Sequence, residues 1–216
     1  MKKYTKETIL KDFQKGGQMS RRIIGCCLFF IFLIALPLQV FGATAKETVE
    51  EKVQLVVTTL GQPDFKQQPK DAQIAAIRAI VNEVFDYREL SRRCLGRGWK
   101  KMNEAQQTEF VQLFSELLEK TYADRLLAYT SEKINFGKET ELKKGRVEVE
   151  SAIITTTNKE VPLNYRMIQK NGQWRVYDVV IEGISMVQNY RDQFRDILSK
   201  KSADDLIQVL RDKVNK

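Results

Sequence analysis

Apolar residues recur at helical spacing through the first half of the chain and at alternate positions through most of the second. Val49, Val53, Val56 and Leu60 share one face of a first predicted helix, which Gly61 and Pro63 end. The polar stretch 62–70 reads as a loop, the one candidate linker in the chain. Ile74, Ile77, Val81 and Val84 make a second stripe. Asp86 can cap a short third helix, in which Leu90 and Cys94 share a face before Gly96 stops it. A longer helix follows, with Asn103 as cap, Gln106 three residues on, and a wide stripe of Phe110, Leu113, Phe114, Leu117, Leu118, Tyr122 and Leu126.

Near residue 132 the period drops to two. Ile134 and Phe136, then Val147, Val149, Ser151 and Ile153, then Val161, Leu163, Tyr165 and Met167 alternate with polar neighbours. Strands near 161–169 and 173–181 are joined by Asn171-Gly172, a strong two-residue hairpin signal. On strict alternation Trp174 and Val176 lie on one face of the last strand and Tyr177 and Val179 on the other, so one pair alone can face inward. Beyond Glu182-Gly183, Ile184, Val187, Phe194 and Leu198 mark a closing helix. Ser202 with Asp205 then opens a final one carrying Leu206, Leu210 and Val214. Helices, a meander of about four strands and helices again predict an α+β domain, an antiparallel sheet with one face covered by amphipathic helices.

The first 45 residues read differently. Arg21-Arg22 precede IIGCCLFFIFLIAL, an uncharged run of fourteen residues. A membrane span needs roughly 20 apolar residues, whereas this run has the length of a signal-peptide core. Ala43-Thr44-Ala45 matches an A-x-A cleavage site, and Val40-Phe41-Gly42 is a second candidate. Residues 1–45 are therefore expected to be an export signal and 46–216 a single domain; the long polar leader leaves an uncleaved anchor as the alternative, and Met19 is a second candidate start. The leader holds seven Lys/Arg and two acidic residues, a net +5 of the chain's +8, so residues 46–216 carry +3. The apparent basicity thus belongs mostly to the leader, and a nucleic-acid partner loses its main support. Cys26 and Cys27 leave with the leader, so Cys94 remains alone and no internal disulfide can form.

Candidate chemistry is sparse. The chain contains no His, which excludes Ser-His-Asp and Cys-His nucleophile systems and most zinc sites. Cys94 within a helix stripe reads as a small core residue, and Glu148 with Glu150 as a solvated sheet face. Residues 88–101 carry Arg88, Arg92, Arg93, Arg97, Lys100 and Lys101 around Trp99; a solvated helix face and a docking patch for an acidic partner or a lipid phosphate are both open readings. No residue set points to a cofactor.

Two stretches, NGQWRVYDVVIEGISMVQNYRDQF and FDYRELSRRCLGRGW, resemble the MlaC family, also called the toluene-tolerance family. The likeness extends in the same order over about residues 46–210. The family comprises periplasmic soluble components of the system that moves phospholipid between the two membranes of Gram-negative bacteria. The resemblance implies a curved antiparallel sheet wrapped by helices, a cone similar to the nuclear transport factor two fold, with phospholipid as bound cargo and no catalysis. Its implied partners are an inner-membrane ABC transporter complex with its substrate-binding subunit, and an outer-membrane lipoprotein-porin complex. The strand 174–181 would be cone wall, and Glu182-Gly183 the turn from wall to closing helix. On that basis the expected lipid-lining residues are Phe85, Leu90, Trp99, Phe110, Leu113, Phe114, Leu117, Val147, Val149, Tyr165, Met167, Tyr177, Val179 and Ile181, with ordinary core packing the alternative for each. Competing readings are a carrier of hopanoid or another apolar lipid, an adaptor with a filled core, and a cone enzyme. For an enzyme, Asp178 is the one motif-embedded acid or base.

Overall fold

The computed structural model describes residues 42–128 and 133–215, so the expected leader up to position 41 lies outside the described residues. Helix α1 (Ala45–Gly61) opens with a reciprocal cap: Thr44 Oγ1 accepts from the Glu47 amide at 3.1 Å, and the Glu47 carboxylate accepts from the Thr44 amide at 2.8 Å. Ala45 is fully buried. The described residues thus include the cap residue Thr44 and the first helical residue Ala45.

The expected loop at 62–70 contains a short helix, α2 (Pro63–Lys66), which starts on Pro63 and buries Phe65 against Leu60 and Ile77. One turn is too short to show a helical stripe, so Phe65 stands as a single apolar residue among polar neighbours. Helices α3 (Lys70–Val84) and α4 (Tyr87–Leu95) follow, with Asp86 capping α4 through the Glu89 amide at 2.8 Å. Gly96, at φ +53°, ends α4, and a 3-10 turn over Gly96–Lys101 leads to α5 (Glu104–Leu127). Asn103 and Gln106 form the expected capping box.

Strands β1 (Lys133–Lys143), β2 (Arg146–Ile154), β3 (Glu160–Lys170), β4 (Gln173–Ile181) and the two-residue β5 (Ile184–Ser185) make an open antiparallel meander in that order. Ile184 was expected on the closing helix; it lies instead in β5, 68% exposed, because the chain makes a second tight hairpin at Glu182-Gly183 before turning helical. Helices α6 (Met186–Leu198) and α7 (Ala203–Val214) complete the α+β fold. Both two-residue hairpins place their residues at positive φ: 50° and 77° at Asn171-Gly172, 48° and 82° at Glu182-Gly183. A Cβ at Gly183 would meet no neighbour, so the cost of Gly183→Ala is backbone strain alone. That variant is expected to lose about 1 kcal/mol of stability, measured by the urea midpoint.

The register of β4 departs from strict alternation. Met167 pairs with Val176 and Arg166 with Asp178, which leaves Tyr177 as an extra residue, a bulge. One added residue reverses the parity beyond it. Val176 and Val179 therefore enter the same apolar cluster, with Trp174 and Ile181 at its edge, and Tyr177 does not belong to it. The expected division of these side chains between faces is corrected accordingly: the bulge, invisible without the partner strand, puts both valines inside.

Candidate functional site

The apolar interior has two main parts. On the sheet side, Val147 and Val149 of β2, Tyr165 and Met167 of β3, and Val176 and Val179 of β4 cluster under Ala45 and Val49 of α1 and Val84 of α3. On the helix side, Leu90 of α4 and Phe110, Leu113 and Phe114 of α5 pack with Tyr190 and Phe194 of α6 and Leu206, Ile207 and Leu210 of α7. Helix α5 makes its main contacts with α3, α4 and α7, none of them with a strand. Phe85 and Met186 pack against both clusters, and both are only half-buried. Phe85 is there because α3 ends at it, the Asp86 amide donating to the Val176 carbonyl at 2.8 Å and docking the chain on β4, and Met186 because α6 begins with it.

These contacts sort the residues expected to line a lipid site. Val147, Val149, Tyr165, Met167 and Val179 lie together on the sheet side, with half-buried Ile181 at the margin. Leu90 and Leu113 lie on the helix side, with half-buried Trp99 and Leu117 at its margin. Phe110 and Phe114 are 0% exposed, and their rings make edge contacts with Phe194 at 5.4 and 5.1 Å between centroids. That geometry commits both to helix packing. Tyr177 stands apart: its ring lies under the Arg93 guanidinium, 3.8 Å from the ring centroid. Burial pushes its hydroxyl pKa up, against the pull of Arg93, Arg146 and Arg166.

Sequence reasoning missed Val53, Leu163 and Met186, all half-buried at the edges of these clusters. Val53 and Leu163 sit in phase with stripes that were legible, whereas nothing around Met186 signals contact with two clusters. Burial pushes the phenol pKa of Tyr165 well up, because the charged form is disfavoured away from water.

Asp178 has a structural position. It is 2% exposed, and its two oxygens accept from the Val187 amide at 2.9 Å, the Ser185 hydroxyl at 2.6 Å and Arg166 Nη1 at 3.2 Å. Ser185 in turn accepts from the Gln188 amide at 3.0 Å. The carboxylate thus sits at the amino end of α6, where free amides and the helix dipole favour negative charge. Arg166 also bonds Glu148 at 2.7 Å, so that acid belongs to an ion-pair chain on the outer face.

Two open clefts mark the surface. One of about 330 Å³ lies over β1, β2 and β3, and one of about 650 Å³ lies among basic side chains of α4, the 3-10 turn, β2 and α6. None of the expected lining residues borders either cleft. Among the described residues, no helix is long and apolar enough to cross a membrane, and no group of three or more His, Cys, Asp or Glu could hold a metal ion.

A family model described as MlaC protein matches residues 50–212. The intermembrane phospholipid transport system binding protein MlaC of Haemophilus influenzae is 31% identical over 154 residues, 68% of this chain and 70% of that protein. Toluene tolerance protein ttg2D of Pseudomonas putida is 24% identical over 181 residues, 81% of this chain and 82% of its own length. Among solved structures, a phospholipid-binding protein from Ralstonia solanacearum, in complex with a phospholipid, superposes with a TM-score of 0.73 at 25% identity, covering 80% of this chain and 98% of that one. With the family model spanning both the helical half and the sheet, this chain belongs to the MlaC family.

Proposed function

We propose that this protein is a periplasmic phospholipid carrier, which shelters acyl chains between its sheet and helices and passes them between an outer-membrane complex and an inner-membrane transporter. The observation that carries the reading is the divided interior: two apolar clusters meet at Phe85 and Met186, and these side chains are half-buried where a fused core would enclose them. The phospholipid held by the Ralstonia solanacearum relative supports the choice of cargo.

Transfer free energies explain the need for such a protein. A two-chain lipid exposes roughly 30 methylene groups to water at about 0.8 kcal/mol each, on the order of 20 kcal/mol in total. An apolar protein interior replaces the bilayer contacts and offsets most of that cost. Handover then requires a state that releases the lipid, favoured by a partner that binds it better.

Organic extraction of the purified protein followed by mass spectrometry tests the proposal. About one phospholipid per chain is the expected result; no lipid, or a triterpenoid alone, would overturn it. Leu117→Lys and Met186→Lys place an ammonium at half-buried margins of the interior. Both are expected to reduce retained lipid about tenfold or more with little change in thermal unfolding, since a charge is costly beside acyl chains yet reaches water in the empty protein. Val179→Asp, within the sheet cluster, is instead expected to destabilise the fold itself.

A further inference from the structure

The basic cleft of about 650 Å³ gathers charge from three separate parts of the chain. Arg92, Arg93, Arg97 and Lys100 come from α4 and the 3-10 turn, Arg146 opens β2, and Arg191 comes from α6. One carboxylate answers them: Glu89 pairs with Arg92 at 2.7 Å and with Arg93 at 2.8 Å. Arg191 gives its Nε to the Arg93 carbonyl, a neutral acceptor, at 2.9 Å. Among the described residues, Arg97, Lys100, Arg146 and Arg191 make no ion pair, whereas Arg92 and Arg93 share Glu89.

The bulge in β4 supports one of the side chains lining this cleft. It turns Tyr177 away from the inner cluster, and the displaced ring carries the Arg93 guanidinium at 3.8 Å. The cleft differs from the interior in its lining, six cationic side chains and Gly96 in place of apolar residues. Acyl chains are not its occupant. Its volume exceeds the needs of a single small anion, and guanidinium forks match carboxylates in bidentate pairs. A concave surface lined by one sign of charge also raises the local concentration of oppositely charged partners.

We propose that this cleft docks a carboxylate-rich segment of a partner protein. The proposal does not depend on the identity of the cargo. It is tested by titrating the purified protein with a fluorescent oligoglutamate peptide. Affinity is expected to fall about tenfold between about 50 and about 300 mM salt, as the screening length shortens. A paired Arg97→Glu, Lys100→Glu variant is expected to lose the peptide about tenfold or more; Arg146→Gln should weaken it by a smaller factor, and Lys213→Glu, outside the cleft, should leave it unchanged. Equal affinity in wild type and the paired variant would overturn the proposal. So would inorganic phosphate competing at equal affinity, which would mark a small-anion site, or vesicles of phosphatidylglycerol binding more tightly than the peptide with the same dependence on Arg97 and Lys100, which would mark a membrane contact. Extracted phospholipid, measured on the same variants, is expected to stay at the wild-type level; joint loss of lipid and peptide would overturn the separation of cleft from interior.

Discussion

Asp178→Ala is expected to lower the unfolding free energy by about 2 to 4 kcal/mol, the cost of leaving buried donors unpaired and removing an anion at a helix start. The loss is concentrated at one point. The variant strands the Val187 amide and the Ser185 hydroxyl and removes the anion at the amino end of α6, while Arg166 keeps Glu148 as its partner. Because Ser185 both bonds Asp178 and caps Gln188, the cap itself loosens. Against a typical total of about 5 to 15 kcal/mol, such a loss leaves little reserve. Asp178→Asn keeps the shape without the charge and is expected to fall between alanine and wild type. Urea unfolding at neutral pH measures both variants; a change below about 1 kcal/mol for alanine would show that α6 is anchored by other means.

Glu89→Gln is expected to cost about 3 kcal/mol at neutral pH and to flatten the acid limb of the stability curve. Glu89 is 5% exposed, and burial alone would raise its pKa. Arg92 and Arg93, bonded to its two oxygens at 2.7 to 3.0 Å, outweigh burial and hold the carboxyl at about 2, down from 4.5. A folded-state pKa below the unfolded value means the stabilisation is complete above about pH 4.5 and is lost as pH falls toward 2. The shift corresponds to about 3 kcal/mol. Urea unfolding of wild type and variant at stepped pH should therefore show their difference shrinking across that window; a constant difference would mean that Glu89 stays charged or is unpaired in both states.

Local signals were the legible part of this fold. Caps at Asp86, Asn103 and Ser202 and the turn at Asn171-Gly172 declare themselves within a few residues, and all stand where their chemistry indicates. What stayed hidden depends on partners distant in sequence. The bulge at Tyr177 exists only relative to Arg166 and Met167 on β3, so alternation along β4 alone assigned its faces wrongly. Among the expected lining residues, the aromatic stripe of α5 could be read as apolar, but its commitment to Phe194 could not. The basic run at 88–101 likewise looked like one patch. Folding takes Arg88 out of it, over Trp99 at 5.2 Å, and brings in Arg146 and Arg191 from other elements.

The bonds around Asp178 also restrict how the molecule can deform. They fasten the β4 margin of the sheet to α6, and the tight turn at Glu182-Gly183 leaves no slack between the two. At the opposite margin β1 is held by β2 and by surface bonds from Lys46 to Gly137 and Glu139. The two margins are therefore tied to the helices by unlike means, a buried carboxylate at β4 and exposed polar bonds at β1. Exposed polar bonds are weakened by water and salt far more than a buried one, so the β1 side is the looser attachment of sheet to helix.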